Sequence, residues 1–415
     1  MRGLLCKSGW IACRIALVVA GVWCALIEVA EAFAFRGFSM ELDGDWFLLI
    51  AVSEPQELSR FISLHASFLA CALVVFIVMA LAWTCLVLRV RTGVCLCLLM
   101  LLGLMYVGVR LAMCGIAWKP LYVAYDMVRS TAEYRELWSA GAWTEARAAQ
   151  VSPASPGATN FVFVIGESLT VDRMGVYGYH RQTTPGLSAL AMTNRIAVLG
   201  PISTSYPDTA RSMRMMLTKA TRQHPKRAIE TLPVHFRLHG YRTALVSAQG
   251  HWERYSGIEQ MIFAACESRV YLSDRPLTGS GRRLDGDLLP LVRACMKSSD
   301  KRPFAVFVHL LGSHFDPADR LPDGFAAAEG LDDYDRSVRY TDAVLSELIA
   351  ALPERTVLLF VSDHGESVDR PGWRDQSSRS LWRVPLVVAP ASASGPCRSV
   401  TEVGQIWYNL PVKCE

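Results

Sequence analysis

Apolar positions crowd into the first 118 residues of this 415-residue chain; after them, short apolar runs alternate with mixed stretches as in a globular domain. Three segments, 11–32, 62–88 and 94–118, have the length and apolarity to cross a bilayer, which takes about 20 residues at helical rise. Arg2 and Lys7 precede the first, and Arg89 and Arg91 separate the second from the third. That Lys/Arg bias predicts a cytoplasmic N-terminus and places everything after Trp118 outside the cytoplasm. Segment 11–32 reads as a retained anchor, since it ends on Glu28 and Glu31 without a small-residue cleavage site. The 46–52 run is too short to span and reads as interfacial. Residues 119–150 turn amphipathic and 151–159, rich in Pro, Ser and Gly, read as a linker. The predicted units are a transmembrane helical domain (1–118), a bridging segment and linker (119–157) and a globular domain (158–415).

Within the globular part, 161–165, 244–247, 304–310, 357–361 and 384–388 each suit a strand buried on both faces. Helical patterns fall between them at 209–220, 284–296 and 334–351, and 401–410 suits a short closing helix. The alternation predicts an α/β domain with a mostly parallel sheet flanked by helices on both sides. Its site is expected at the C-terminal ends of the strands.

Composition changes this picture little. A formal net charge of +4, with no basic run and no aromatic–basic interleaving, argues against nucleic acid as a partner. Of twelve cysteines, eight lie in or beside the apolar segments; Cys266, Cys295, Cys397 and Cys414 lie in the globular part, where two disulfides are an open expectation.

The candidate chemistry gathers where strands end. Asp363-His364 follows the 357–361 strand and supplies oxygen and nitrogen ligands for a divalent metal, zinc above all; an N-cap aspartate beside a surface histidine is the ordinary alternative. Glu167 follows the 161–165 strand, where a helix N-terminal acid is the plain reading. Thr209 alone is a helix-start threonine, and His309 alone a satisfied core histidine. Arg211 and Arg214 read as a solvated helix face, with phosphate contact as the alternative. His180, His224, His235, His239 and His251 have no metal-ligand spacing.

Taken in order, six blocks closely resemble the phosphoethanolamine transferases of the alkaline phosphatase/sulfatase-like superfamily. They are 164–168 with 173–185; 205–209; 240–249; 309–314; 334–342; and 362–367. The resemblance covers about residues 160 to 390, and the preceding apolar spans also look like the family's, which commonly has five where three are found. It implies that Thr209 is the nucleophile. It further implies that Glu167, Asp363 and His364 hold zinc together with the Thr209 oxygen, that His314 holds substrate phosphate or a second metal, and that His309 belongs to the same substrate-binding motif. Tyr334, Asp335, Tyr340 and Asp342 are expected to shape a helix and its contacts. One departure stands out: relatives usually place another histidine after the Asp-His-Gly-Glu block, and no histidine follows His364. Arg374, Asp375, Arg379 and Arg383 occupy that region, with Ser380 near the expected position, which puts a second metal in doubt.

The activity so implied is transfer of phosphoethanolamine from phosphatidylethanolamine to an envelope glycolipid, either lipopolysaccharide core or lipid A. A covalent phosphothreonine-type intermediate would form at the zinc site of an inner-membrane protein whose catalytic domain is periplasmic. The 309–314 motif looks more like that of members acting on core sugar. Phosphoglycerol transfer, a phosphodiesterase or sulfatase-like hydrolase, and an impaired membrane relative remain as alternatives. The segment 206–209 lacks the cysteine or serine maturation motif of a sulfatase.

Overall fold

A computed structural model describes residues 158–390 apart from 221–230, 250–256, 275–281, 298, 315, 327–329 and 369–376, with Ser392 and scattered helical positions between 15 and 128. By internal contacts the chain divides into two units, 1–132 and 133–415. In the first, described positions within 15–31 and 63–84 are helical, and so are Tyr125 and Val128, both exposed. No helix among the described residues is long and apolar enough to cross a membrane. The predicted spans lie mostly outside those residues, and the 94–118 span, the 46–52 run, the linker through 157 and the 401–410 helix lie wholly outside them.

The second unit carries the sheet. In chain order its strands are β1 (Asn160–Gly166), β2 (Ala197–Ser203), β3 (Arg242–Ser247), β4 (Ser268–Tyr271), β5 (Phe304–His309), β6 (Thr356–Ser362) and β7 (Arg383–Ala389). The helices are α1 (Pro185–Met192), α2 (Thr209–Leu217), α3 (Leu232–Leu238), α4 (Gly257–Phe263), α5 (Leu288–Met296) and α6 (Asp333–Ala350). Strand order is β2-β7-β6-β1-β5-β3-β4. The β6-β1-β5-β3-β4 block is parallel throughout, whereas β7 runs antiparallel to β6, and β2 antiparallel to β7.

All five predicted strands form. The two unpredicted ones are the sheet's edges: β2 is broken by Gly200-Pro201 with a register shift there, and β4 has four residues. Edge strands need neither length nor a continuous apolar run, so they leave little periodic signal.

Alternation along the central strands divides the core in two. Phe161, Phe163 and Ile165 of β1 share one cluster with Phe307 of β5, Val357, Leu359 and Val361 of β6, and residues of α2, α3 and α4. Val162 and Val164 turn to the other face, where they join Val306, Val308, Leu358, Phe360 and residues of α1, α5 and α6. Continuing the alternation past the strand ends puts Glu167, His309 and Asp363 on the face of α2 and α4, by the two-residue period of a strand.

Cys266 and Cys295 are both free, so neither contributes a disulfide; Cys397 and Cys414 lie outside the described residues. The block on α6 holds backbone in place, as expected of it. Tyr334 Oη donates to Ser168 O, Tyr340 Oη accepts from Gly286 N, and Asp342 accepts from Gly186 N and Leu187 N at the start of α1. Buried Asp335 pairs with Arg173 and Arg181.

Candidate active site

Three neighbouring strands, β5, β1 and β6, deliver the site at their C-terminal ends. Glu167, Asp363 and His364 are buried, and one ligand atom from each lies within 4.8 Å of the others. Thr209 joins them as the first residue of α2. That helix starts cleanly because the Asp208 side chain accepts from Arg211 N at 3.0 Å. The Thr209 hydroxyl donates to Glu167 Oε2 at 3.0 Å and lies 3.5 Å from His364 Nε2. Thr204 and Ser212 both donate to the Asp363 carbonyl oxygen, tying the α2 end to the β6 end.

The donor set fits a metal ion on an observation independent of any relative. His364 Nδ1 lies 2.7 Å from the Gly365 carbonyl oxygen. A carbonyl only accepts, so Nδ1 carries the proton and Nε2 turns its lone pair inward. Nε2 faces Glu167 Oε1 at 3.3 Å and Asp363 Oδ2 at 3.5 Å, and Oδ2 has no hydrogen-bond partner among the described residues. Three acceptor atoms therefore converge in a buried space, a donor set that suits a cation between them. A histidine that donates its other ring N–H to a backbone carbonyl is the usual posture of a metal ligand.

The electrostatics agree. Burial works against a charged Glu167, but a hydrogen bond from His364, available only when a proton on Nε2 takes the place of a metal, and the charges of His314, His364 and His309 outweigh it and hold its carboxyl well below the usual range. Burial and the adjoining Glu167 charge push Asp363 up. Burial also opposes a charged His309, yet Glu259, Glu167 and Asp363 together raise it.

His309, the last residue of β5, is fully buried, whereas His314 is half-buried at the end of the loop that follows. That loop is anchored on Glu167 itself: Ser313 N donates to Glu167 O at 2.9 Å. Gly312 has φ +55°, and a Cβ there would meet Glu167 O at 2.5 Å. Gly312→Ala is therefore expected to cost at least about 1–2 kcal/mol for the left-handed backbone alone. A denaturant midpoint lowered at constant slope checks it, and an unchanged midpoint contradicts it.

Sequence reasoning missed two acids here. Asp285 takes Leu311 N at 2.7 Å and Gly312 N at 2.9 Å, fixing the 309–314 loop from beneath. Glu259 on α4 meets His309. The solvated-face reading of Arg211 and Arg214 is corrected as well. Arg211 pairs with Asp208 and stacks over Tyr206, and Arg214 is buried, because this side of α2 packs into the domain. At the position of the absent histidine, Ser380 is buried and donates to Glu366 O at 2.8 Å. Arg383 is engaged with Asp172, Arg379 is exposed, and Arg374 and Asp375 lie outside the described residues.

The sulfatase family profile matches residues 159–404, more than half of the chain. The chain belongs to the sulfatase family. It thereby falls in the alkaline phosphatase-like superfamily, with phosphoethanolamine transferases among its relatives. The chain is 30% identical over 257 residues to phosphoethanolamine transferase EptC of Escherichia coli, an alignment covering 55% of this chain and 44% of that one. The chain thus spans under half the length of that relative. Two solved structures share the fold. The C-terminal periplasmic domain of EptC from Escherichia coli in complex with zinc matches at TM-score 0.54 and 24% identity, covering 63% of this chain and 86% of that domain. The integral membrane lipooligosaccharide phosphoethanolamine transferase A from Neisseria meningitidis matches at TM-score 0.58 and 17% identity, covering 92% of this chain and 76% of that one.

Proposed function

We propose that this sulfatase-family chain is a phosphoethanolamine transferase that moves the group from phosphatidylethanolamine to an envelope glycolipid, lipopolysaccharide core or lipid A, by way of Thr209. The observation carrying this reading is the Thr209 hydroxyl, held at a helix N-terminus within 3.0 Å of Glu167 and 3.5 Å of His364. Glu167, Asp363 and His364, with the Thr209 oxygen as fourth donor, are the residues that would hold zinc in a tetrahedral set. Zinc in such a set supplies Lewis-acid stabilisation of oxygen anions.

The protein's own groups do the rest. Thr209 attacks the donor phosphorus, the first-turn N–H groups of α2 favour the charge gathering on the phosphoryl oxygens, and diacylglycerol departs. His309 and His314, carried by β5 and its loop, hold the phosphoryl group from the other side. The acceptor hydroxyl or phosphate then takes the group from Thr209. Anchoring through the apolar 1–118 segment, with 119–157 as a bridge and 158–415 in the periplasm, would keep donor, leaving lipid and acceptor in one bilayer. Relatives named as phosphoethanolamine transferases support the transferred group, and the periplasmic and integral-membrane neighbours support the placement.

Intact mass of the full chain in detergent, after incubation with phosphatidylethanolamine, tests the reading. An added phosphoethanolamine on the protein is the expected result. Mass unchanged with that donor, or gained instead from a phosphoglycerol donor, would overturn it.

A further inference from the structure

His309, placed beside the phosphoryl group above, is one member of a buried polar row whose other members have had no part so far. Register pairs Ser247 of β3 directly with His309 of β5, both on the α4 side of the sheet. Glu259, from the first turn of α4, spans the two. Its Oε1 accepts from Ser247 Oγ at 2.9 Å and lies 3.1 Å from His309 Nδ1. Gln249 N donates to Ser247 Oγ, and Gln249 Nε2 donates to the carbonyl oxygen of Leu310. The backbone of the imidazole is held from both neighbouring strands as well, by Ala248 N to His309 O and by Leu310 N to Ile165 O. Every restraint falls on the Nδ1 side of the ring or on the main chain. Nε2 is buried, and among the described residues it has no hydrogen-bond partner.

Glu259 Oε1 already accepts from Ser247 Oγ, so in its contact with His309 the proton lies on Nδ1. Nε2 is then the atom free to exchange a proton with whatever reacts beside Glu167. The same division of labour operates wherever a carboxylate fixes the tautomer of a working histidine.

We infer that Glu259 is a positioning residue that keeps a proton on His309 Nδ1 in both the charged and the neutral ring, so that the proton on Nε2 is the one exchanged with the leaving and entering oxygens. The inference rests on the reading of Thr209 as nucleophile. In the first half-reaction Thr209, its hydroxyl proton already released to solvent, forms a bond to phosphorus as the bond from phosphorus to the lipid oxygen breaks. The proton on Nε2 passes to that oxygen, giving neutral diacylglycerol and neutral His309. In the second, the acceptor oxygen bonds to phosphorus, its proton returns to Nε2, and the bond from phosphorus to Thr209 breaks. Protons and charge balance over the cycle, and no outside reagent is consumed.

The test compares Glu259→Ala, Glu259→Gln, His309→Ala and the Glu259→Ala/His309→Ala double variant as full chains in detergent. The readouts are the adduct-formation rate with phosphatidylethanolamine, bound zinc, and the ring nitrogen signals of selectively labelled histidine. His309→Ala is expected to slow adduct formation about 10²-fold or more, the usual contribution of general acid–base catalysis. Glu259→Ala should approach that loss with zinc content and donor KM unchanged, and the double variant should be no slower than His309→Ala, as two groups acting in series require. Glu259→Gln keeps an acceptor oxygen and should recover part of the rate.

A Glu259→Ala rate equal to the wild type, or a double variant slower by the product of the two losses, would overturn the inference while leaving the Thr209 reading intact. An unmodified wild type defeats the Thr209 reading instead. The nitrogen spectrum, read at a pH where the ring is neutral, then still decides the tautomer: Nδ1–H in the wild type, lost from it in Glu259→Ala, is expected, and the same tautomer in both refutes the role of Glu259. If Glu259→Ala does not fold, Glu259→Gln carries the comparison, and a wild-type rate and spectrum in that variant count against the inference.

Discussion

Thr209→Ala, with the fold and the metal retained, is expected to leave no phosphoethanolamine on the protein and to cut turnover by about 10⁴-fold or more, the scale of removing a catalytic nucleophile. The alanine side chain offers no oxygen to phosphorus, and no neighbour can replace it. Ser212, one helical turn on, is buried and donates to the Asp363 carbonyl oxygen, so its hydroxyl is committed elsewhere. Ser168 donates to Glu167 Oε1 and is likewise engaged. Thr209→Ser keeps an oxygen on the same Cβ and should restore the adduct at a reduced rate. Asp208 remains to cap α2 in both variants, so thermal stability should change by less than about 1 kcal/mol. Adduct formation surviving Thr209→Ala would place the nucleophile on another residue.

Stripping divalent metal from the full chain with a chelator is expected to produce the second large effect, and zinc alone should reverse it. The stabilisation by a bound ligand grows with its concentration over Kd and reaches about 4 kcal/mol at a thousandfold excess. In this site the ion has a specific cost to relieve, because Glu167, Asp363 and His364 present converging ligand atoms that are buried. The pH dependence follows from Asp363. Burial and Glu167 raise its folded-state pKa above the unfolded value of about 4, so the metal-free folded state holds more protons than the unfolded one just above that pH. Asp363's contribution to the stability of the metal-free protein should therefore be lost as pH rises from about 4 to about 6, against an opposite contribution from Glu167, whose carboxyl is held low. The stabilisation conferred by zinc should grow across that window as the Asp363 proton leaves. Differential scanning calorimetry across pH, with and without zinc, measures both. A melting temperature indifferent to chelator, together with no zinc by elemental analysis, would remove the metal from the proposal.

The central strands were legible because burial on both faces leaves an unbroken apolar run, and Glu167 and Asp363-His364 stood out as polar residues closing such runs. Thr209 carried no periodic signal. It was found only through the ordered blocks around it, and the structure then brings it to within hydrogen-bonding distance of Glu167. Glu259 stayed hidden because α4 has only seven residues, and its partner His309 lies 50 positions away. Asp285 was hidden for a similar reason, since it receives backbone N–H groups 26 and 27 residues distant. The antiparallel course of β7 was also unreadable, because a strand buried on both faces looks the same in either direction.

Strand β1 has a consequence for how the chain reaches its native state. It is the first strand of the domain in sequence, yet it pairs with β5 and β6. The β1–β5 contact joins residues 144 apart, and the Ser168–Asp363 bond joins residues 195 apart. A chain emerging from its N-terminal end thus presents Phe161, Phe163 and their neighbours long before either flanking strand exists. Such non-local pairing is slow to form, and exposed apolar strands aggregate while they wait. The acids from β1 and β6 cannot meet until β6, far later in the chain, has joined β1, so the donor set cannot form before that long-range pairing does. Metal capture would then report the joining of β6 to β1, and a chain arrested before it would lack the site altogether.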